Sequence, residues 1–296
     1  MKNLFRTKSD KMFDIFNYVF FTIAVIIVIY PLYFIVISSI SDPLHVAAGK
    51  VVFYPKGFTI EGYEKVMTHD TIPRGYLNSI FYTCLGTFIN LLLTLPPGYA
   101  LSKKDLVFKN QIMVYLVIPM YISGGLIPTY ILIKNLDMLD KIWSLLIPGA
   151  VSVWNIIIAR TFFQSNIPNE LWESAMMDGC RHTRFFLSIV LPLSMPLVSV
   201  MILFYGIGHW NAWFNALIYI RNRKLFPLQL VLREVLFFND KNIDFIKDPE
   251  ELVRRQRLAE SIKYASIIVA SVPVLMIYPF LQKYFTKGIM VGSLKG

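Results

Sequence analysis

A charged, amphipathic stretch at residues 170–192 reads ELWESAMMDGCRHTRFFLSIVLP and lies among long apolar runs. At about 100° per residue, one helical face collects small and apolar side chains, and the acidic side chains fall on the other side. The apolar face consists of Trp172, Ala175, Met176 and Gly179. Pro168 suits the first turn of a helix, and Gly179 allows the chain to turn at its end. The pattern predicts a short helix with nothing in its own loop to bury its apolar face, so that it docks in a groove on a partner.

Periodicity alone leaves two other interpretations of this helix open. An amphipathic loop helix can lie on the membrane surface, or it can pack beneath neighbouring spans of its own chain. The spacing of the residues that follow favours the docking interpretation.

Residues 173–192 resemble the EAA signature of permease subunits of ABC importers. That signature has Glu-Ala-Ala, three residues, Gly, nine residues and Ile-x-Leu-Pro, and this chain departs from it only at Ser174. The resemblance implies that the loop is a coupling helix seated in a cleft of a cytosolic ATPase subunit. The residues that it assigns to this contact are Trp172, Glu173, Ser174, Ala175, Met176, Gly179, Ile189, Leu191 and Pro192.

Composition indicates a membrane protein, because 55% of the 296 residues are hydrophobic and only 16% are charged. Six segments contain no Asp, Glu, Lys or Arg and approach or exceed the roughly 20 residues of a spanning helix. They are 15–41, 75–102, 110–133, 142–159, 185–220 and 264–282. Pro192 and Pro196 predict a break in the fifth segment, before a span of roughly 195–219. The sequence therefore predicts an all-α protein with six transmembrane helices, and the resemblance implies the type I ABC importer permease fold.

The formal net charge of +10 does not indicate a nucleic-acid partner, because no basic stripe with interleaved aromatic residues stands apart from the membrane segments. Short basic pieces at residues 2–11 and 103–109 favour a cytoplasmic N-terminus. An even number of spans then places the C-terminus on the same side. We therefore expect a multi-pass protein of the cell membrane, surrounded by lipid, with both termini in the cytoplasm.

The predicted spans divide the chain into four parts. Residues 1–14 are a cytoplasmic tail, and residues 15–74 hold the first transmembrane helix and an external connection. Residues 75–283 form a core permease domain of five transmembrane helices, with the EAA loop at 165–192 and an external loop at 221–263. Residues 284–296 are a cytoplasmic C-terminal tail.

Prolines and glycines predict interruptions in two spans. Pro96, Pro97 and Gly98 are expected to disrupt the inner end of the second span, and Gly124-Gly125 to break the third. A Tyr-Ala-Leu-Ser run at 99–102, before basic residues, resembles the same place in carbohydrate importers.

Two segments outside the spans carry further expectations. The external loop 221–263 is either a solvated helical face or a surface that meets an extracytoplasmic solute-binding protein, as the resemblance implies. The C-terminal tail resembles that of maltose-importer-type permeases, which implies a contact with the interface of the ATPase pair. The residues assigned to this contact are Gly288, Gly292, Lys295 and Gly296.

Polar and aromatic side chains inside the spans are candidates for a saccharide path, because amides bond sugar hydroxyls and rings stack on sugar C–H faces. The candidates are Asn90, Asn155, Trp210, Asn211, Phe214 and Asn215. Trp210 with Phe214, and Asn211 with Asn215, are i, i+4 pairs if the fifth span is one helix. The alternative is an interfacial aromatic belt with amides that join neighbouring helices. His209 is expected to be a satisfied core or interface histidine, since no acidic residue lies within a span to pair with it.

No nucleotide-binding loop, nucleophile elbow, metal-binding helix pair or disulfide framework occurs in the sequence. The chain is therefore not expected to be an enzyme or to hold a cofactor, and ATP and Mg belong to partner ATPase subunits. The predicted function is that of a permease subunit in an ATP-driven saccharide importer. Its expected partners are a second permease subunit, two cytosolic ATPase subunits and a solute-binding protein. The alternative is an ion-gradient-driven transporter or channel without an ATPase.

Overall fold

A computed structural model of the protein describes residues 8–243, 257, 259–277 and 279. All regular elements in this part of the chain are helices, which confirms the predicted all-α class. In chain order the α-helices are α1 Lys8–Ser39, α2 Pro43–Ala47, α3 Glu61–Thr68, α4 Ile72–Ser102, α5 Lys109–Tyr121, α6 Leu126–Asn135, α7 Trp143–Leu146, α8 Val153–Asn166, α9 Asn169–Met177, α10 His182–Phe185, α11 Leu191–Leu193, α12 Met195–Trp210, α13 Phe214–Tyr219, α14 Leu228–Ile243 and α15 Ala259–Ile277. A π-helix, Phe186–Val190, joins α10 to α11, and a 3-10 helix, Arg223–Leu225, precedes α14.

Among the described residues, three helices are long and apolar enough to cross a membrane: Ser9–Ser39 of α1, α4 and α15. The number rises to five if two bent pairs each count as one span. These pairs are α5 with α6, bent by 113°, and His182–Leu193 with α12, bent by 82°. The predicted number of six is therefore not confirmed. The difference arises at predicted span 142–160, where the chain leaves the helix around Pro148 and forms the short helices α7 and α8.

The chain forms two compact units, of which the first comprises Met1–His69 and Val235–Ser271. In this unit Ile37, near the end of α1, packs with Val46 and Val51, while most of α1 is exposed. A Cβ atom at Gly62 would lie 2.4 Å from the carbonyl oxygen of Ser261, so only glycine permits α3 to approach α15 this closely. The predicted external connection thus contains the two short helices α2 and α3.

The second unit comprises Asp70–Glu234 and Val272–Gly296, and its centre is the packing of α4 against α8 and α12. Small residues permit this close packing, as they do in membrane helices generally. A Cβ atom at Gly98 would lie 2.7 Å from Cβ of Ala159, and one at Gly86 would lie 2.5 Å from the ring of His209. The core extends to the loop helix α9, and its buried members are Leu95, Tyr99, Ala159, Phe163, Ile167, Ala175, Phe185, Val190, Leu197, Met201 and Tyr205.

The predicted disruption of the second span is wrong, because α4 continues through Pro96 and Pro97 to Ser102. Two prolines remove only two backbone N–H donors. In a membrane helix, neighbouring helices can satisfy the carbonyl groups that these prolines leave without a partner. Gly98 faces Ala159 of α8, so this glycine serves helix packing and not a bend.

Two other predicted interruptions are confirmed. The third span breaks between α5 and α6, where Gly125 has a φ of 81°. The chain also breaks at Ser194, and Pro196 lies in the first turn of the following helix, α12. At each break a residue outside the helical conformation, Gly125 or Ser194, stands directly before the start of the next helix.

Substitution of Gly98 by Ala is expected to lower the free energy of unfolding by about 1–3 kcal/mol, because the new methyl group overpacks the contact with α8. Gly208→Ala is the matched control in α12, since a Cβ atom there has no described atom within 4 Å. The midpoint temperature of thermal unfolding in detergent should fall for Gly98→Ala and not for Gly208→Ala. Equal midpoints would contradict the close packing of α4 on α8.

Candidate functional site

The loop helix α9 has well-defined ends that follow from its sequence. Pro168 precedes it with extended backbone, and Glu170 lies in its first turn, where a negative charge is favourable. At the other end the Cys180 N–H donates to the Ala175 carbonyl, and the Gly179 N–H donates to the Met176 carbonyl, both at 2.9 Å. This pair of bonds is a Schellman motif, which requires the left-handed conformation that Gly179 adopts at a φ of 72°. The predicted helix and its terminating turn are confirmed.

One side of α9 packs on its own chain. Ala175 is only 7% exposed, and the ring of Trp172 stacks on His182 with centroids 4.1 Å apart. Trp172 also meets Phe185 edge-on at 5.1 Å. The prediction that nothing in the loop buries this face is wrong for these residues, because the turn at Gly179 returns the chain directly into α10. The interpretation that α9 packs beneath its own chain thus holds for half of the face.

The other side of α9 has exposed apolar side chains. Met177 is 89% exposed and Met176 is 49% exposed, and Glu173 is also exposed. The Ser174 hydroxyl donates to the Glu170 carbonyl at 2.9 Å, so the departure from the EAA signature is satisfied within the helix. No described atom lies within 4 Å of a Cβ atom built at Gly179. The helix therefore has an attached side and a free edge.

Lys103, the residue after α4, connects that helix to the loop. Its Nζ lies 4.8 Å from the ring centroid of Tyr99, 5.6 Å from that of Phe185 and 5.7 Å from that of Trp172. Burial lowers the pKa of the Lys103 amine, and the Asp105 carboxylate opposes this shift. The aromatic faces compensate part of the lost hydration of the cation. We call Tyr99, Lys103, Trp172, His182 and Phe185 the Lys103 cluster.

The segment from α10 to α12 carries the remaining residues of the predicted signature. Ile189 and Leu191 pack partly buried against the core, whereas Pro192 is exposed. Ile189 belongs to the π-helix Phe186–Val190, which joins α10 to α11. Ser194 is fully buried at the 82° bend, and its hydroxyl has no hydrogen-bond partner among the described residues. A π-helix and a bend in immediate succession are a place where helical geometry changes readily.

Asn90 is a structural residue at the centre of the second unit. Its Nδ2 donates to the carbonyl oxygens of Gly149 at 2.9 Å and Ala150 at 2.8 Å, and its Oδ1 lies 2.7 Å from Nε2 of His209. All polar atoms of the Asn90 amide thus have partners within the chain. The predicted satisfied histidine at position 209 is confirmed, and Asn90 joins α4 to α12 and to the loop before α8.

The other predicted saccharide residues do not share one helical face. Helix α12 ends at Trp210, and the Asn211 side chain caps it by donating to the Ile207 carbonyl at 3.0 Å. The predicted i, i+4 pairs are therefore wrong, because Phe214 and Asn215 belong to the separate helix α13. Trp210 is buried edge-on against Tyr76 at 5.6 Å, and Asn155 is buried in the first turn of α8.

The described part of the chain contains no group of three or more His, Cys, Asp or Glu side chains placed to hold a metal ion. The chemistry available at the Lys103 cluster is that of stacking, apolar contact and one cation. Such side chains can hold neighbouring helices together and can bind a partner surface.

Comparison with known proteins identifies the group to which this geometry belongs. No family model matches the chain. Protein LplC of Bacillus subtilis (strain 168) is 38% identical, with 98% of this chain and 97% of that protein aligned. A second relative from the same organism is the polygalacturonan/rhamnogalacturonan transport system permease protein YtcP. It is 35% identical, with 97% of this chain and 100% of that protein aligned. A similar solved structure is the crystal structure of a bacterial ABC transporter involved in the import of the acidic polysaccharide alginate. One of its chains matches this chain with a TM-score of 0.85 and 29% sequence identity, over 96% of this chain and 100% of that chain.

The chain belongs to the permease subunits of carbohydrate ABC importers. The predicted family and the ABC importer permease fold are thereby confirmed. The permease is a multi-pass protein of the cell membrane and a transport subunit.

The predicted external loop 221–263 begins as a packed element in the part that the structure describes. Leu228, Leu230 and Val231 are buried, and the Leu228 N–H donates to the Ser79 hydroxyl of α4 at 2.8 Å. Residues 244–256 of this loop lie outside the described residues, as do the predicted tail contacts Gly288, Gly292, Lys295 and Gly296.

The position of Lys103 among three aromatic rings was not predicted from the sequence. The available signal was its position directly after the Tyr-Ala-Leu-Ser run, four residues beyond Tyr99. A lysine at such a place is usually assigned to the membrane surface. The three surrounding rings come from α4, α9 and α10, and only the fold brings them together.

Proposed function

We propose that this permease is one transmembrane half of an ATP-driven saccharide importer, and that α9 transmits the motion of a cytosolic ATPase subunit to the spans. A second permease subunit, two ATPase subunits that bind ATP and Mg, and an extracytoplasmic solute-binding protein complete the assembly. Both termini of the permease lie in the cytoplasm in this proposal, and residues 75–283 are its core domain. The observation that carries the proposal is the two-sided character of α9.

The free edge of α9 supplies a contact surface for the ATPase subunit. Met176 and Met177 are unbranched and adaptable, which suits a helix that enters a cleft. Glu173 lies on the same exposed helix and supplies a charge for a cationic partner. Gly179 keeps the end of the helix free of a side chain, which permits close approach of another backbone.

The attached side of α9 supplies the connection to the spans. A displacement of α9 moves Trp172, and its stacking contact with His182 carries the displacement into α10. From α10 it passes through the π-helix and the bend at Ser194 to α12. Lys103 couples the same displacement to the inner end of α4. Because α4 and α12 pack on each other, a displaced loop also displaces these two helices. We infer two states of the substrate path, one for each position of the loop, and ATP binding shifts the equilibrium between them.

The outer end of the second unit favours an acidic saccharide as the substrate. Arg74, Arg221, Arg223 and Lys224 are exposed there, and the Arg74 side chain donates to the Lys224 carbonyl at 3.0 Å. The backbone N–H groups of Asn222 and Arg221 donate to the Asp140 carboxylate and hold the pKa of Asp140 below its usual value. Asp140 thereby fixes the basic segment in place. Phe214 and Asn215 on α13 remain our candidates for saccharide contacts, whereas the buried Asn90 and Trp210 serve packing.

Uptake of galacturonate oligomers is expected to exceed uptake of neutral maltodextrins of equal length, and only the former should weaken as salt rises. The reason is that exposed charges separated by more than about 8 Å are screened at physiological ionic strength. Radiolabelled uptake into proteoliposomes with the complete assembly, at low and high salt, measures both effects. Equal uptake of the two classes at every salt concentration would contradict an acidic substrate.

The composition of the native assembly tests the proposed function. The affinity-tagged permease, purified from its native membranes, should bring with it an ATPase and a second, different permease. Purification of a homodimer without an ATPase would contradict the proposal and favour a transporter driven by an ion gradient.

A further inference from the structure

A small polar pocket lies in the second unit, where the end of α4 meets the end of α8 and the beginning of α9. Its volume is about 220 Å³, and its lining includes Tyr99, Ser102, Lys103, Lys104, Gln164 and Asn169. Lys104, Gln164 and Asn169 are exposed, whereas Tyr99 is only 8% exposed. The pocket therefore has a buried floor and an exposed rim.

Positive charge is concentrated around this pocket. Lys103 and Lys104 line it, and the Lys109 Nζ donates to the Lys103 carbonyl at 3.0 Å. Arg160 and Lys104 are close enough to Lys109 for their charges to repel its amine. Arg160 precedes the lining residue Gln164 by one helical turn, so both lie on the same face of α8. Four cations thus gather at the junction of three helices.

Few carboxylates balance these four cations. The acidic neighbours are Asp105, beside Lys103, and Glu170, which follows Asn169 but does not line the pocket. None of the ion pairs among the described residues includes one of the four cations. Outside the described residues, segments 1–7 and 278–296 contain no Asp or Glu, and the acidic residues at 244–251 belong to the predicted external loop. An anion from outside the chain therefore reduces the repulsion among the cations.

The pocket also offers hydrogen-bond donors to such an anion. The N-terminus of α9 has no capping side chain, so its first backbone N–H groups, from Asn169 onward, are available. The buried Tyr99 hydroxyl and the Arg160 Nε have no hydrogen-bond partner among the described residues. Basic side chains beside a helix N-terminus are suited to a phosphate group, whose oxygens accept several hydrogen bonds at once.

We propose that this pocket binds a phosphate group, supplied by the headgroup of an anionic phospholipid. Helix α4 has 31 residues and a length of about 46 Å, close to the roughly 40–45 Å of a bilayer with its headgroups. Lys103 and Lys104 follow its last residue and therefore lie at the level of the lipid phosphates, where basic pockets between helices bind anionic lipids. The bound phosphate joins the ends of α4, α8 and α9. This inference does not depend on the proposed function.

Native mass spectrometry of the complete assembly with added phosphatidylglycerol tests the pocket. Lys104→Gln should reduce the amount of bound phosphatidylglycerol about tenfold, because it removes a charge-assisted contact with the phosphate. Lys11→Gln is the matched control, since Lys11 is an exposed lysine of α1 that does not line the pocket. Both substitutions remove one positive charge, so only the loss of a specific contact distinguishes them. Phosphatidylcholine, which has no net charge, should bind weakly and equally in both variants.

A second pair of variants adds a charge at the rim. Gln164→Glu places a carboxylate beside the proposed phosphate and should repel it, whereas Ser165→Glu places the same charge on the next residue of α8, which does not line the pocket. Both positions are exposed, so both variants are expected to insert and fold. The same two pairs are compared for inorganic phosphate by ³¹P NMR, which separates a soluble phosphate from a lipid headgroup.

Selective loss of phosphatidylglycerol in Lys104→Gln and Gln164→Glu supports the lipid headgroup. Selective loss of inorganic phosphate alone supports the site and excludes the lipid as its source. Equal binding within both pairs, for phosphatidylglycerol and for inorganic phosphate, would overturn the proposal. Phosphatidylglycerol that binds only after a co-purified subunit has been removed would also overturn it, because the pocket then belongs to an interface with that subunit.

Discussion

Gly179→Trp is expected to reduce ATP-driven transport about tenfold more than Gly179→Ala, a difference of about 1.4 kcal/mol. Both substitutions place an L-residue at a φ of 72°, so they share a backbone strain of about 1–2 kcal/mol. Within the chain they also share their surroundings, because no described atom lies within 4 Å of the new Cβ. The two variants differ in the indole, which reaches beyond this Cβ, so a partner that approaches the end of α9 obstructs the Trp variant more than the Ala variant.

The measurement compares transport with ATP hydrolysis in proteoliposomes that contain the complete assembly. We expect the Trp variant to insert and to keep hydrolysis while it loses transport, and the Ala variant to retain most of both. Equal losses in the two variants would show that Gly179 serves only the turn, and would contradict a partner at this position.

Trp172→Ala is expected to abolish most transport through loss of the attached side of α9. Removal of a packed indole costs about 3 kcal/mol, the lower end of the range for large aromatic residues, because Trp172 is only partly buried. The variant loses the stacking on His182, the contact with Phe185 and one ring beside Lys103. Motion of α9 then no longer reaches α10 or α4.

Trp154→Ala is the matched control, since Trp154 on α8 is largely exposed. Basal ATP hydrolysis of the assembly should persist in both variants, but its stimulation by loaded binding protein should disappear only with Trp172→Ala. Trp172→Phe keeps an aromatic ring and should restore part of the stimulation. Retained stimulation in Trp172→Ala would contradict the transmission through the Lys103 cluster.

The helix α9 could be predicted from the sequence because its determinants are local. The proline before it, its apolar period and the glycine after it each act within a few residues. The breaks at Gly125 and Ser194 were predictable for the same reason. The spacing of the EAA signature added the family, which the relatives confirm.

Features that depend on contacts between distant segments could not be predicted in this way. The burial of Ala175 and the stacking of Trp172 require the return of the chain into α10. The continuity of α4 through two prolines depends on support from α8, which lies about 60 residues later. Asn90 looked suited to a saccharide, but its partners Gly149, Ala150 and His209 are brought to it only by the fold.

Photo-crosslinking from the exposed edge of α9 shows whether an ATPase subunit binds there. A photo-reactive amino acid at Met177, which is 89% exposed, should form an adduct with the co-purified ATPase subunit on irradiation of the native assembly. The control position is Phe58, which is also exposed but lies in the predicted external connection. We expect an ATPase adduct from position 177 and none from position 58. An assembly that contains the ATPase but yields no adduct from position 177, or equal adducts from both positions, would contradict this expectation.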